Sequence, residues 1–293
     1  MRNQPALQRL IPITRVRHFY KLLRDFPKEK LQLEVAKELC RKPKPLAKMI
    51  VDSREHFAFY DNRLEAFHDR PTAEILTSAR LQSRHLANTL VQDLARTRNH
   101  VIEIADAQQY DFKVVDYEIS PLRTTASNFE NGQSGQPSGA GGMDLMLASQ
   151  VGQAPIVGEI KADTDVNPFL GLIQSLMYAI ELSTAPQRAR LNRFYQNRFA
   201  EWAPETGIDI YLILLRYPDD DRSQEFLNLT SRIAANLVAY EGLSPIIRRV
   251  VALKNAMNQD ALAPFTVAFA HGVSMAPVNR RSSVEIERAE GIT

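Results

Sequence analysis

Cysteine is almost absent. Cys40 is the one thiol in 293 residues, which excludes an internal disulfide and leaves no thiolate set for a zinc site. It reads as a buried thiol. Long apolar runs are missing as well: nothing approaches the roughly 18 residues that a membrane-spanning helix needs. The opening stretch MRNQPALQRLIPITRVRHFYK lacks the charged-then-apolar layout of a secretion signal. The expectation is a cytoplasmic protein with no membrane partner. No Gly-Lys-Ser/Thr follows the glycine-rich stretch, so a phosphate loop of the Walker type is excluded, and no internal repeat is evident. Net charge is small, at +2.

The distribution of that charge is uneven. Residues 1 to 50 carry 13 Lys or Arg against four acids, a surplus of nine, so the other 243 residues total −7. A basic end on a mildly acidic body suits contact with a phosphate backbone, because each cation near a phosphate can release a condensed counterion. Arg15, Arg17, Lys21, Arg41, Lys42 and Lys44 are the candidate nucleic-acid contacts. The alternative is an ordinary solvated helix surface.

With 44% hydrophobic residues the chain can bury a sizeable core. Three parts are expected: a helical basic region over residues 1–100, an α/β core over 101–273, and a polar, fraying tail over 274–293. In the first part apolar residues recur at helical spacing in FYKLLRDF, KLQLEVAKELC and LAKMIVDSREHFAFY, with breaks at Pro27, Pro43 and Pro45. A longer helix is predicted from about residue 75 to 98. VIEIADA and DFKVVDYEIS then read as strands. Residues 124 to 142, rich in Gly, Ser, Asn and Gln, read as a loop.

MDLMLAS and PIVGEIKA are the next strands. Asn167 and Pro168 cap a helix to about residue 183, and a further helix is predicted over 186–202. DIYLILLRYP is a strand suited to burial on both faces. Helices are predicted near 223–240 and 244–257, followed by the strand FTVAFAHG. The fold class expected is therefore α/β, a mixed central sheet flanked by helices, with a helical amino-terminal region.

Charges inside two of these apolar strands point to chemistry. Asp144 interrupts MDLMLAS and faces away from Met143 and Leu145, while Glu159 and Lys161 share one face of PIVGEIKA and Ile160 faces the other. If the strands pair, two carboxylates and one ammonium converge. Two carboxylates with a main-chain carbonyl such as that of Ile160 make a hard oxygen site suited to magnesium. Lys161 beside it could orient or deprotonate a water. The structural alternative is an exposed Glu159–Lys161 salt bridge of little consequence.

The order of glycine, Asp in an apolar strand, short connection, hydrophobic strand, Glu-x-Lys and capped helix resembles the PD-(D/E)XK, or restriction-endonuclease-like, nuclease superfamily. Asp144, Glu159 and Lys161 match its motif, with Met143 where the nominal proline stands. Gln174 and Tyr178, one helical turn apart, resemble the additional QxxxY feature of RecB-like members. The resemblance covers about residues 110 to 216. It implies a restriction-endonuclease-like core and a nuclease using Mg2+, for which Mn2+ may substitute, hydrolysing phosphodiester bonds in DNA, with RNA not excluded.

Such an enzyme would serve restriction, repair or defence against foreign DNA. Glu118 or Glu74 is the further acid such enzymes draw from upstream, and the sequence does not choose between them. Asp163 and Asp165 read as loop acids and His271 as a structural histidine. The alternative function is a catalytically silent nuclease-like protein that binds nucleic acid or docks a partner. A homodimer, or a protein partner held by the helical region, is a further expectation.

Overall fold

The computed structural model describes residues 15–25, 29–60, 112–119, 121, 142–149, 154–162, 167–195, 198–203, 205–256, 266–270 and 273–274. The expected helix over 75–98, the strand VIEIADA and the glycine-rich loop up to residue 141 lie outside them. So do Pro27, Glu74, Asp163, Asp165, His271 and the tail beyond residue 274.

Three helices come first: α1 (Val16–Asp25), α2 (Glu29–Arg41) and α3 (Lys44–Tyr60). Pro45 was expected to break a helix. Instead it sits in the first turn of α3, where a missing N–H costs nothing because that group has no intrahelical acceptor. The strands are β1 (Phe112–Ile119), β2 (Met143–Ser149), β3 (Pro155–Ala162), β4 (Ile208–Tyr217), β5 (Ile247–Ala256), β6 (Thr266–Ala270) and β7 (Val273–Ser274). Helices α4 (Pro168–Leu182) and α5 (Ala185–Phe194) join β3 to β4, and α6 (Asp221–Val238) joins β4 to β5. The described strands form one sheet in the order β1-β2-β3-β4-β5-β6-β7. β3, β4 and β5 run parallel; the remaining pairs are antiparallel. The fold is thus α/β with a mixed sheet.

Two expectations for the second half are corrected. Residues 244–257 hold strand β5 rather than a helix. In IRRVVALKNA the apolar residues at 247, 250, 251 and 253 mimic a helical stripe, but a strand buried between β4 and β6 shows the same run of apolar side chains. The helix expected over 186–202 stops at Phe194. Beyond it Trp202 donates to the Thr206 carbonyl at 2.7 Å and stacks against Arg188, whose guanidinium lies 3.5 Å from the indole centroid. These contacts replace a last helical turn.

The central strand β4 is buried at nearly every position, as a strand packed on both faces must be. Helix α4 is apolar almost all round, and it lies between layers: it packs on β3 and β4 below and against α1 and α3 above. α6 covers β5, and α2 packs on α6. Helices α1–α3 therefore form an outer layer in one hydrophobic cluster with the sheet and its covering helices, contributing Val16, Phe19, Leu23, Val35, Leu39, Leu46 and Ile50. Each such side chain is worth about 1.5–3 kcal/mol of burial, so this basic segment is also structural. Cys40 is buried among it and donates to the Leu229 carbonyl at 3.3 Å; burial pushes its thiol pKa up.

Polar contacts fix the layers in register. Asn167 caps α4, its side-chain oxygen accepting from the amides of Phe169 and Leu170 at 3.0 and 3.2 Å. The same Asn167 donates at 2.8 Å to Gln32 of α2, which donates at 2.9 Å to the Leu23 carbonyl of α1. At the other end of α4, Arg54 of α3 donates to the Ser183 hydroxyl and carbonyl at 3.0 and 3.1 Å, a cation on a helix carboxyl end. No described helix is long and apolar enough to cross a membrane.

Candidate functional site

β2 and β3 pair from Ala148–Pro155 to Leu145–Gly158, where the ladder ends. A Cβ at Gly158 would lie 2.9 Å from the Leu145 Cβ, so glycine permits the strands to approach closely at their last pair. Asp144 comes next on β2. Its side chain takes over from the main chain: Oδ2 accepts from the amide of Ile160 at 2.7 Å. Ile160 is the residue between Glu159 and Lys161, and the parting of the strands thus places the Asp144 carboxylate beside Glu-x-Lys.

Glu159 and Lys161 lie on one face of β3, as alternation requires, and Lys161 Nζ is 3.0 Å from Glu159 Oε1. The pair is not on the surface. Glu159 is 1% exposed and Lys161 5%, which removes the reading of an inconsequential solvated salt bridge. Taking two charges out of water costs several kcal/mol per ion before their attraction is counted, and an apolar pair would hold a strand equally well.

Helix α4 closes this face. Gly171 sits directly over the lysine stem, where a Cβ would come within 3.3 Å of Lys161 Cε and 3.4 Å of Cγ. One turn further Gln174 Oε1 accepts from Lys161 Nζ at 3.3 Å. Tyr178, another turn on, is 1% exposed. Burial, and then the charges of Glu159, Glu181 and Asp144, push its pKa well above the ordinary tyrosine value, against a smaller lowering by Arg17. It is a neutral hydroxyl throughout the physiological range, within electrostatic reach of both candidate carboxylates. Asp144, Glu159, Lys161, Gln174 and Tyr178 thus meet in one place.

Ile160 faces away from that group, in line with alternation on β3, which leaves its main-chain carbonyl as the part relevant to a metal. Of the two upstream acids, Glu118 takes the β1 position between Tyr117 and Ile119, whose partners are Leu145 and Met143. It therefore stands across from Asp144 in register, whereas Glu74 lies outside the described residues. Among the described residues no group of three or more His, Cys, Asp or Glu side chains could hold a metal ion. The donors that are described, two carboxylates on adjoining strands, match the sparse protein ligation of magnesium, which keeps waters and takes substrate oxygens.

The chain matches no family model, no curated protein and no solved structure.

Sequence reasoning missed the part played by α1. Tyr20 donates to Gln174 Oε1 at 2.7 Å, and Arg17 pairs with Glu181 of α4. Arg17, a candidate nucleic-acid contact, is thereby engaged within the protein; Arg15 and Lys21 are half-buried, and Arg41, Lys42 and Lys44 are exposed around the α2–α3 junction. No local pattern reports contacts across 154 and 164 residues of chain; the only local signal is the i,i+3 spacing that puts Arg17 and Tyr20 on one side of α1. A second polar group was also missed. Asp116 of β1 is buried and accepts from the Tyr195 hydroxyl at 2.6 Å, and the Tyr195 pKa is raised, first by burial and then by Asp116.

Proposed function

We propose that this chain is a magnesium-dependent nuclease of the PD-(D/E)XK type, with a restriction-endonuclease-like core and a RecB-like Gln174/Tyr178 pair, which hydrolyses phosphodiester bonds in DNA. The observation that carries the proposal is the buried Glu159–Lys161 pair at the carboxyl end of β3, with the Asp144 carboxylate bonded to the amide between them. A buried lysine–carboxylate pair at a strand end, beside a second carboxylate, supports a chemical role, because it is costly to bury and its ammonium, unlike a guanidinium, can give up a proton. The carboxyl ends of parallel strands are also where open α/β sheets bind ligands.

In this reading Asp144, Glu159 and the Ile160 carbonyl would hold the ion, and Glu118, at the facing register position of β1, is the upstream acid to test beside them. Magnesium supplies, when bound, charge neutralisation at the phosphate and a water of lowered pKa. Lys161 orients the attacking water and offsets charge on the phosphate oxygens. Glu159 keeps that ammonium in place. The partly exposed amide of Gln174 hydrogen-bonds the strand being cut, and Tyr178, a buried neutral hydroxyl one turn further along α4, stays beside the carboxylates. One phosphorus–oxygen bond forms from water and one to the sugar breaks, leaving a phosphomonoester and a hydroxyl. The exposed Arg41, Lys42 and Lys44 supply backbone attraction without reading sequence.

The test is cleavage of plasmid and end-labelled oligonucleotides by the full chain. Cutting is expected with Mg2+ or Mn2+, to be abolished by EDTA and by Lys161→Met. DNA binding with no cleavage under either metal would instead assign a silent nucleic-acid-binding protein.

A further inference from the structure

Gln174 can present either end of its amide to the site, since oxygen and NH2 exchange places by a half-turn about the last side-chain bond. Lys161 alone weakly decides between them: its ammonium donates to Oε1 at 3.3 Å, a long contact from a group with three protons to direct. The second donor is Tyr20, at 2.7 Å to the same oxygen. A phenol hydroxyl can donate to the oxygen or accept from the NH2 group. The Arg24 guanidinium, a donor drawn to the Tyr20 hydroxyl oxygen, occupies that oxygen and leaves the phenol proton for Gln174, whose oxygen receives both Tyr20 and Lys161. Among the described residues the NH2 group of Gln174 makes no hydrogen bond, and the side chain is partly exposed.

We propose that Tyr20 is a positioning residue which locks the Gln174 amide with its oxygen inward on Lys161 and its NH2 outward, ready to donate to a phosphodiester oxygen. The substrate in this statement rests on the nuclease reading above. Helix α1 then belongs to the working site and is more than a cover. Its own placement is rigid: Phe19 beside Tyr20 is fully buried, Arg17 is paired with Glu181, and Arg24 lies over the Tyr20 ring at 5.7 Å. Removing the hydroxyl should leave the fold intact but free the amide to turn, so that a fraction of molecules offers NH2 to an ammonium and oxygen to an anion, both repulsive.

The experiment compares Tyr20→Phe with wild type in the full chain labelled with [15N]glutamine, the Gln174 side-chain signals being assigned through Gln174→Ala. Tyr20→Phe is expected to move the two Gln174 amide-proton shifts together and to speed their exchange with solvent, at an unchanged backbone spectrum. Unaltered Gln174 signals overturn the proposal whatever the enzymology. In cleavage assays Tyr20→Phe should lower kcat about 5- to 10-fold, the worth of one neutral hydrogen bond, with KM little changed, and should add nothing to Gln174→Ala. Full additivity of the two losses overturns the coupling. Should wild type cut nothing, the nuclease reading and the phosphodiester half of this proposal fall together, while the spectra still decide whether Tyr20 holds the amide.

Discussion

The same sheet buries two ion clusters, one at each end of its parallel strands, and they are built from different chemistry. At the amino ends of β4 and β5, Asp209, fully buried, takes Arg248 through two bonds of 2.7 and 2.8 Å and Arg249 through two of 3.1 and 2.7 Å. Arg249 also donates to the Tyr211 hydroxyl at 2.8 Å. At the carboxyl end of β3, on the other face, Glu159 meets a lysine. Guanidinium forks fill a carboxylate's lone pairs in a fixed plane and never give up a proton; an ammonium is a rotatable point charge that can. The arginine cluster is a staple. The lysine cluster, on the nuclease reading proposed above, is the one that exchanges partners with an incoming phosphate and water.

The difference implies opposite responses to mutation. Lys161→Met should reduce metal-dependent cleavage by at least about 1,000-fold, the combined scale of a proton-transfer group and a charge stabiliser. Asp209→Ala should leave turnover per folded molecule unchanged, yet cost about 3 kcal/mol or more in urea unfolding, because two guanidinium groups lose their shared anion. Activity lost with Asp209 at equal stability would make both clusters functional and end the distinction. Lys161→Met should itself destabilise, by leaving Glu159 as a buried carboxylate.

The neutral double variant Glu159→Gln/Lys161→Met separates the two effects. It is expected to return to within about 1 kcal/mol of wild-type stability, since replacing a buried pair by uncharged side chains of similar volume is often neutral, while cleavage stays absent. Circular dichroism melts and the plasmid assay read the two together.

Alkaline pH probes the lysine end by a third route. Tyr178, Tyr195 and Tyr217 hold their protons above the ordinary tyrosine range, each chiefly through burial. Above pH about 10 the folded chain therefore binds more protons than the unfolded one, and stability falls with rising pH by about 1.4 kcal/mol per unit for each such tyrosine. Their contribution is complete below pH 10. Unfolding midpoints measured between pH 9 and 11.5 should show this slope, flattened by one tyrosine's share in Tyr178→Phe; an equal slope in that variant would place the titration elsewhere.

The smallest effect concerns the exposed cations. Changing Arg41, Lys42 and Lys44 together to Gln should lower the slope of log affinity for DNA against log salt by about 3, one per phosphate contact. An unchanged slope would mean that DNA reaches the lysine end by another surface. Deleting residues 1 to 50 cannot make this test, because it strips Phe19, Val35 and Leu39 from the core.

The sequence was legible where one segment decides its own structure. β2, β3 and β4 follow from apolar runs with internal charges, α4 from Asn167-Pro168, and the grouping of Asp144 with Glu159 and Lys161 from strand alternation. It failed at β5, where Ile247, Val250, Val251 and Leu253 fit two periods and only the neighbours β4 and β6 choose between them. Burial of the Glu159–Lys161 pair was not legible either, since it comes from α4 lying on top. Nor was Tyr20, whose partner Gln174 is distant in the chain and is met only because α1 rests on α4.

Gly171 sets the working tolerance of that arrangement. With no side chain there, the helix comes down onto the methylene stem of Lys161, and the ammonium at its end lies beside Glu159 and Gln174. A single added methyl would have to be absorbed by raising the helix or bending the stem by a few tenths of an ångström, on the scale at which a reacting group goes out of alignment. The aim of the lysine is thus set by an atom the protein does without.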